Sequence, residues 1–174
     1  MLPVKPILIG MSIFATALPA KLPRTKDSGK VAIMYAVILV IFVVAQLYTF
    51  EEFLPYILSL NLPLGNVLSS AFAPLLIASE VFAIPFLLRM RLSPAFTYFS
   101  MGLGWVAALA WIFVSIWLNI GGVSAETVGF LGTVVTLAPG WWAVFISFAL
   151  GILATWSSWG LWPGKRSDVK SLSN

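Results

Sequence analysis

Cysteine and histidine are both missing from the chain. Without Cys there is no disulfide relay, no iron–sulfur cluster and no thiol nucleophile. Without His there is no bis-His haem, no ordinary copper or zinc site and no imidazole acid–base chemistry. Charge is scarce as well: charged residues make up 9 % and hydrophobic ones 60 %, with a mean hydropathy of +1.01. A soluble domain carries about 25 % charged residues. So little polar surface cannot coat a water-soluble body, and the solvent of this chain is largely lipid. The pI of about 9.6 could suggest nucleic acid. The basic residues are few and dispersed, however, and no RNA or DNA module is visible, so nucleic acid is not an expected partner. The 174 residues leave room for one domain.

A bilayer core of ~30 Å needs about 20 mostly apolar helical residues. Four stretches meet this: about residues 31–50, 66–88, 96–118 and 140–160. They predict an all-α, polytopic four-helix bundle over residues 31–162, with short interfacial segments and a polar tail at 163–174. Charge sets the orientation. Lys5, Lys21, Arg24, Lys26 and Lys30 precede the first span, Arg89 and Arg91 lie between the second and third, and Lys165, Arg166 and Lys170 follow the fourth. The other two connections hold no Lys or Arg, only Glu51, Glu52 and Glu126. The positive-inside rule therefore puts both termini and the Arg89–Arg91 turn in the cytoplasm. The expected location is a bacterial or archaeal-type inner membrane.

Residues 1–30 form an apolar and basic leader. Ala15-Thr16-Ala17 resembles a cleavage site, but the hydrophobic core is short and cleavage would strand the basic run outside. Pro3, Pro6 and Pro19 make a fifth span poor. An interfacial cytoplasmic segment is the favoured reading over a cleaved signal or an extra span. Outside, residues 51–60 read as a short interfacial helix with Phe53, Leu54, Ile57 and Leu58 as its apolar face. Residues 127–137 are apolar but too short to span, and are expected on or dipping into the outer surface.

Lipid tails are as apolar as Leu, so close packing and interhelical hydrogen bonds must hold the spans together. Ser100, Gly104 and Ala108 form a small-residue stripe on the third span, and Ser147, Gly151 and Thr155 one on the fourth. The two stripes are expected to face each other. Trp141, Trp142, Trp159 and Trp162 sit near span ends, where the amphipathic ring suits the headgroup region. Trp105, Trp111 and Trp156 lie deeper and need an N–H partner.

Glu80 is the one acid or base inside a predicted span. It lies nine residues from Arg89, or ~13 Å along a helix rising 1.5 Å per residue, close to the midplane. A charge there costs about 3 kcal/mol on insertion scales. With no intramembrane cation beside it, the neutral acid is expected, bonded to neutral groups. At similar depth the other spans offer Tyr35, Ser100, Trp105, Thr155, Trp156 and Ser157. Two readings follow: a polar handle for a quinone-like ligand, a lipid or a proton, or a protonated clasp between helices. Pro74 and Pro85 bracket Glu80 and loosen its helix. A second polar cluster, Gln46, Tyr48, Thr49, Glu51 and Glu52, ends the first span, where capping or interfacial roles are expected.

Two segments carry a family resemblance: AQLYTFEEFLPYILSLNLPLG at residues 45–65 and LLIASEVFAIPFLLRMRLSP at residues 75–94. The chain resembles the DoxX/MauE-like family of small four-helix membrane proteins. Glu80 falls on that family's mid-helix Glu, and Gln46 or Leu47 stands where the family has a Lys. The resemblance implies a four-helix bundle linked to quinone-dependent oxidation or to maturation of extracytoplasmic redox enzymes. The expected role is an accessory or assembly subunit with a membrane or extracytoplasmic protein partner. The other readings are a quinone-binding enzyme subunit and a carrier for a small solute or proton. No covalently bound cofactor is expected, and a quinone or lipid is the expected ligand. A stand-alone enzyme is not expected, since no nucleophile–base pair or metal constellation is visible.

Overall fold

The computed structural model describes residues 26–63, 65–121 and 125–162. The interfacial leader expected before residue 26, the polar tail after 162 and the basic residues in both lie outside the described residues. Five helices follow one another: α1 (Lys26–Tyr48), α2 (Phe50–Ser59), α3 (Gly65–Leu87), α4 (Pro94–Ile120) and α5 (Trp141–Gly160). All but α2 are long and apolar enough to cross a membrane. The first span starts and ends earlier than expected, because the chain turns at Thr49 straight into α2. Glu52 and Phe53 N–H groups bond back to the Thr49 carbonyl. On α2 the buried side chains are Phe53 and Ile57, with Leu60 just beyond its end, whereas Leu58 is exposed. The apolar stripe thus runs 53, 57, 60 rather than through 58, matching the i, i+4, i+7 spacing of one helix face.

The ends of α3 and α4 at the basic face are set locally. Arg89, at φ 59, closes α3 in the left-handed region. Its N–H bonds to the Phe86 carbonyl and the Met90 N–H to the Pro85 carbonyl, which is the Schellman pattern. Ser93 then caps α4, its hydroxyl accepting from the Phe96 N–H at 3.3 Å, with Pro94 at the first helical position.

The spans pack in chain order around a ring: α1 on α3, α3 on α4, α4 on α5 and α5 on α1. Their buried residues show why. On α1 the sequence is Ser28, Ala32, Tyr35, Leu39, Phe42, Gln46; on α4 it is Ser100, Gly104, Ala107, Trp111, Val114, Leu118. On α5 it is Ala143, Ser147, Leu150, Ala154, Ser157, continuing to Leu161. Each alternates steps of four and three, a 3.5-residue repeat that keeps one seam facing a partner along a left-handed bundle. On α3 the seam runs through Ala73, Leu76, Glu80, Ala83 and Leu87.

The small stripes lie differently from expectation. Ser100, Gly104 and Ala108 are all buried, but Gly104 faces Ala83 of α3 and Tyr35 of α1, not Gly151. Gly151 instead faces Ile112. The reason is on α3: Pro85 opens that helix, and the Ser100 hydroxyl enters the gap. Phe86 N–H donates to Ser100 Oγ at 3.2 Å, while Ser100 Oγ donates to the Phe82 carbonyl. One hydroxyl is spliced between the donor and acceptor of a single helical turn, and this draws the α4 stripe onto α3. Trp141, Trp142, Trp159 and Trp162 are exposed at span ends, as expected of belt residues.

Candidate functional site

Glu80 is fully buried. Its Oε1 accepts from the Trp111 indole N–H at 2.7 Å and from the Gln46 amide at a longer 3.4 Å. The three residues sit at different heights on their helices, and backbone geometry brings them together. Side chains of a helix tilt toward its N-terminus. For α3 that end lies at the charge-poor face, so Glu80 reaches outward. For α1 and α4 it lies at the basic face, so Gln46 and Trp111 reach inward. The Glu80 backbone is seven residues from Leu87, ~10 Å, yet its carboxyl sits in the outer half of the bundle.

A cover lies over this group. The segment 125–139 folds back onto the outer ends of the helices, with Phe130 3 % exposed. The Phe130 carbonyl accepts a second hydrogen bond from the Gln46 amide at 3.2 Å. Its ring lies 4.7 Å from that of Trp111 and stacks at 5.5 Å on Phe42. One residue therefore touches both groups that hold the carboxyl. The strap is pinned to the end of α1 and to α2. Thr133 N–H donates to Thr49 Oγ1 at 3.1 Å, Thr133 Oγ1 donates to Glu52 at 2.6 Å, and the Tyr56 hydroxyl donates to the Thr127 carbonyl. Burial pushes the Tyr56 hydroxyl up to about 12, so it remains a donor well into alkaline solution. Gly132, at φ +59, lets the strap pass α1: a Cβ there would meet Thr49 Oγ1 at 2.3 Å and the Ala45 carbonyl at 3.1 Å.

On the far side a polar ladder supports Trp111. Ser147 Oγ shares a 2.7 Å bond with Ser115 Oγ and lies within donating distance of the Ala143 carbonyl of its own helix at 2.9 Å and of the Trp111 carbonyl at 3.2 Å. Asn119 Nδ2 donates to the carbonyls of Ser115 and Gly140. Trp111, Ser115 and Asn119 are four residues apart, so the ladder climbs one face of α4 to the outer surface.

Of the residues expected around Glu80, several are elsewhere. Tyr35 donates to the Gly104 carbonyl at 2.7 Å, Ser100 mends the α3 turn, and Trp105 donates to Ser158 at 3.1 Å. Thr155 and Trp156 are exposed on the outside of α5, Thr155 bonding its own helix at the Gly151 carbonyl. They share the depth of Glu80 but not the seam. Ser157 is on the seam, and its hydroxyl has no partner among the described residues. In the outer cluster Glu51 and Glu52 are exposed, whereas Gln46 is fully buried and belongs to the Glu80 centre, not to the interface. Trp111 and Phe130 were not among the expected site residues. Trp111 lies where the Ser100–Gly104 stripe continues at the 3.5-residue repeat; nothing in the local sequence marks Phe130.

Two acceptors remain. Glu80 Oε2 and Gln46 Oε1 are buried with no hydrogen-bond partner among the described residues. The donors at the site, Trp111 N–H and the Gln46 amide, are already engaged, so these two acceptors call for a further donor, either the acid proton of Glu80 itself or a bound group. No cluster of three or more His, Cys, Asp or Glu occurs among the described residues. Comparison with protein-family models, curated proteins and solved structures finds no match.

Proposed function

We propose that the chain is an accessory subunit of a redox system in a bacterial or archaeal-type cytoplasmic membrane, working with a membrane or extracytoplasmic protein partner. In this reading Glu80 is its working group and takes a small neutral donor of the quinol type. The observation that carries the reading is the pair of buried, donor-less acceptors, Glu80 Oε2 and Gln46 Oε1. One hydroxyl of a quinol supplies the hydrogen that either acceptor wants. An oxidised quinone presents acceptors only and suits the pair poorly while the carboxyl is ionised. When bound, such a ligand supplies two-electron, two-proton chemistry; the chain supplies acceptors, an indole that fixes the carboxyl and a dry surrounding. The DoxX/MauE-like resemblance supports the same direction. Gln46, one of the two residues that stand where that family has a Lys, donates to Glu80 without forming an ion pair.

The test is purification in mild detergent followed by organic extraction and identification of copurifying proteins. Wild type should carry a quinone or quinol and a redox partner, and Glu80→Ala should lose the small molecule. Neither in the wild-type preparation sinks the proposal. The same acceptor pair favours one other reading. A proton on Oε2 would supply the missing donor, since a carboxylic acid and a carboxamide can pair through two bonds, and the centre would then serve a small-solute or proton carrier. Proton flux in liposomes that disappears in Glu80→Gln selects this second reading.

A further inference from the structure

As the working group proposed above, the Glu80 carboxyl exchanges protons or ligand with one side of the membrane, and the structure distinguishes the routes. Toward the basic face α1, α3 and α4 meet at Tyr35, Ala83 and Gly104. Of the hydroxyls on that side, Tyr35 and Ser100 are committed to backbone carbonyls, and Ser157 is buried with no bond linking it to Glu80 among the described residues. The ladder along α4 reaches the outer surface, but it meets Glu80 only through the indole N–H of Trp111, which neither titrates nor turns over. It also runs through backbone carbonyls at Trp111 and Ser115. It positions Trp111 and cannot relay a proton.

The third route is short. Gln46 bonds both Glu80 and the Phe130 carbonyl. Beyond Phe130 the strap is held by Thr133, whose partner Glu52 stands in solvent. We infer that Glu80 is reached from the charge-poor, external face, through the contact between Gln46 and segment 125–139, and that Phe130 is the positioning residue that closes this way. Its ring covers Trp111 and its carbonyl engages Gln46, so lifting Phe130 frees one partner of Glu80 and uncovers the other. This rests on Glu80 being the working group, as proposed above, but not on what the ligand is.

Sided chemical labelling tests it. A carbodiimide adds across a protonated carboxyl, taking the acid proton onto nitrogen and the carboxylate oxygen onto carbon, and the adduct rearranges to a stable N-acylurea read by peptide mass spectrometry. The membrane-permeant dicyclohexylcarbodiimide and a cationic water-soluble carbodiimide are compared in right-side-out and inverted vesicles at one fixed pH. Exposed Glu51, Glu52 and Glu126 report the outer face, and exposed Asp27 reports the inner one. In wild type the permeant reagent should modify Glu80 and the water-soluble one should not. Phe130→Ala should raise labelling by the external water-soluble reagent about tenfold, the change that accompanies ~1.4 kcal/mol of lost closure. Phe130→Leu, which retains bulk and the backbone carbonyl, should stay near wild type. Thr133→Val, which removes only the exposed bond to Glu52, should give a smaller external gain and serves if Phe130→Ala does not accumulate. Equal gains from both faces, a gain only in inverted vesicles, no gain in either variant, or no labelling of Glu80 by either reagent would overturn the inference. A quinol in the extract of a protein whose strap stays sealed would sink this inference alone. The expected labelling without quinol or partner would sink only the functional reading.

Discussion

Replacing Trp111 by Phe deletes one hydrogen-bond donor and keeps a ring at the centre of the bundle. The deleted bond is the short one to Glu80, 2.7 Å, and what remains is the 3.4 Å contact from Gln46. Interhelical hydrogen bonds in membranes average ~0.6 kcal/mol and reach ~1.7 kcal/mol. A buried acceptor left without its donor costs about 1–3 kcal/mol. The smaller ring adds a packing loss against Phe42 and Phe130, at 6.1 and 4.7 Å between centroids. A single variant mixes these effects, so the measurement is a double-mutant cycle with Glu80→Leu, which removes the acceptor and keeps comparable volume. Trp111→Phe should cost roughly 1–3 kcal/mol in the wild-type background. With Leu at 80 the buried Trp111 N–H is left without its acceptor, so removing it offsets part of the ring-size loss, and the coupling should be about 1 kcal/mol or more. Unfolding by dodecyl sulfate in mixed micelles, followed by far-UV circular dichroism, reads all four species. A coupling within ~0.3 kcal/mol of zero would mean that Trp111 and Glu80 merely touch.

Ser100→Ala removes the hydroxyl spliced into the α3 turn and should destabilise by about 1–2 kcal/mol in the same assay, whereas an unchanged midpoint would show that α3 mends its own turn. Gly132→Ala places a methyl against Thr49 in a backbone region costing ~1–2 kcal/mol for L-residues, so the strap should become more open to proteolysis from outside while the spans stay intact. Tyr56 has its folded value raised above the ordinary 10.0 to about 12. The stabilisation it gives is therefore complete below pH 10 and lost as pH rises toward 12. The slope of thermal stability over that window should be shallower in Tyr56→Phe, and an identical slope would remove Tyr56 from the strap's anchorage. Reporter fusions at the Arg89–Arg91 turn should read cytoplasmic and those near Asn61 external; the reverse pattern would invert the assigned orientation.

The spans were legible because lipid leaves a compositional mark: long apolar runs, with Lys and Arg gathered at one face. Which side of each span faces inward was much harder to read. On α1 the exposed positions include Val37, Val40, Ile41 and Val44, all as apolar as buried Leu39 and Val43. Hydrophobic periodicity therefore vanishes, and the interior is marked by its polar and small residues instead. Ser79, Ser100, Ser115, Ser147, Ser157 and Ser158 are all buried. Glu80 stood out by this logic; Tyr35, expected near Glu80 by depth, is buried on the seam but bonds the Gly104 carbonyl. Thr155 and Trp156 were chosen by depth alone and fall on the lipid side. Gln46 looked interfacial because its backbone is near the helix end; only the inward tilt of its side chain takes it to Glu80. Phe130 was out of reach, since its place depends on Gly129 and Gly132 turning through positive φ in a segment without periodicity.

The four residues of the centre have a consequence for biogenesis, because they leave the ribosome in the order in which the site closes. Gln46 precedes Glu80 by 34 residues and is synthesised before the acid. Trp111 follows by 31 residues, ~2–6 s later at synthesis rates of about 5–20 residues per second. During that interval the long contact with Gln46 is the one bond of the finished centre that can receive the Glu80 carboxyl. Phe130 comes last and covers an assembled centre. On this order of synthesis Gln46 would be the first partner of the finished centre that the acid could meet in lipid. Its loss would fall more heavily on the yield of inserted protein than on the stability of the molecules that complete insertion.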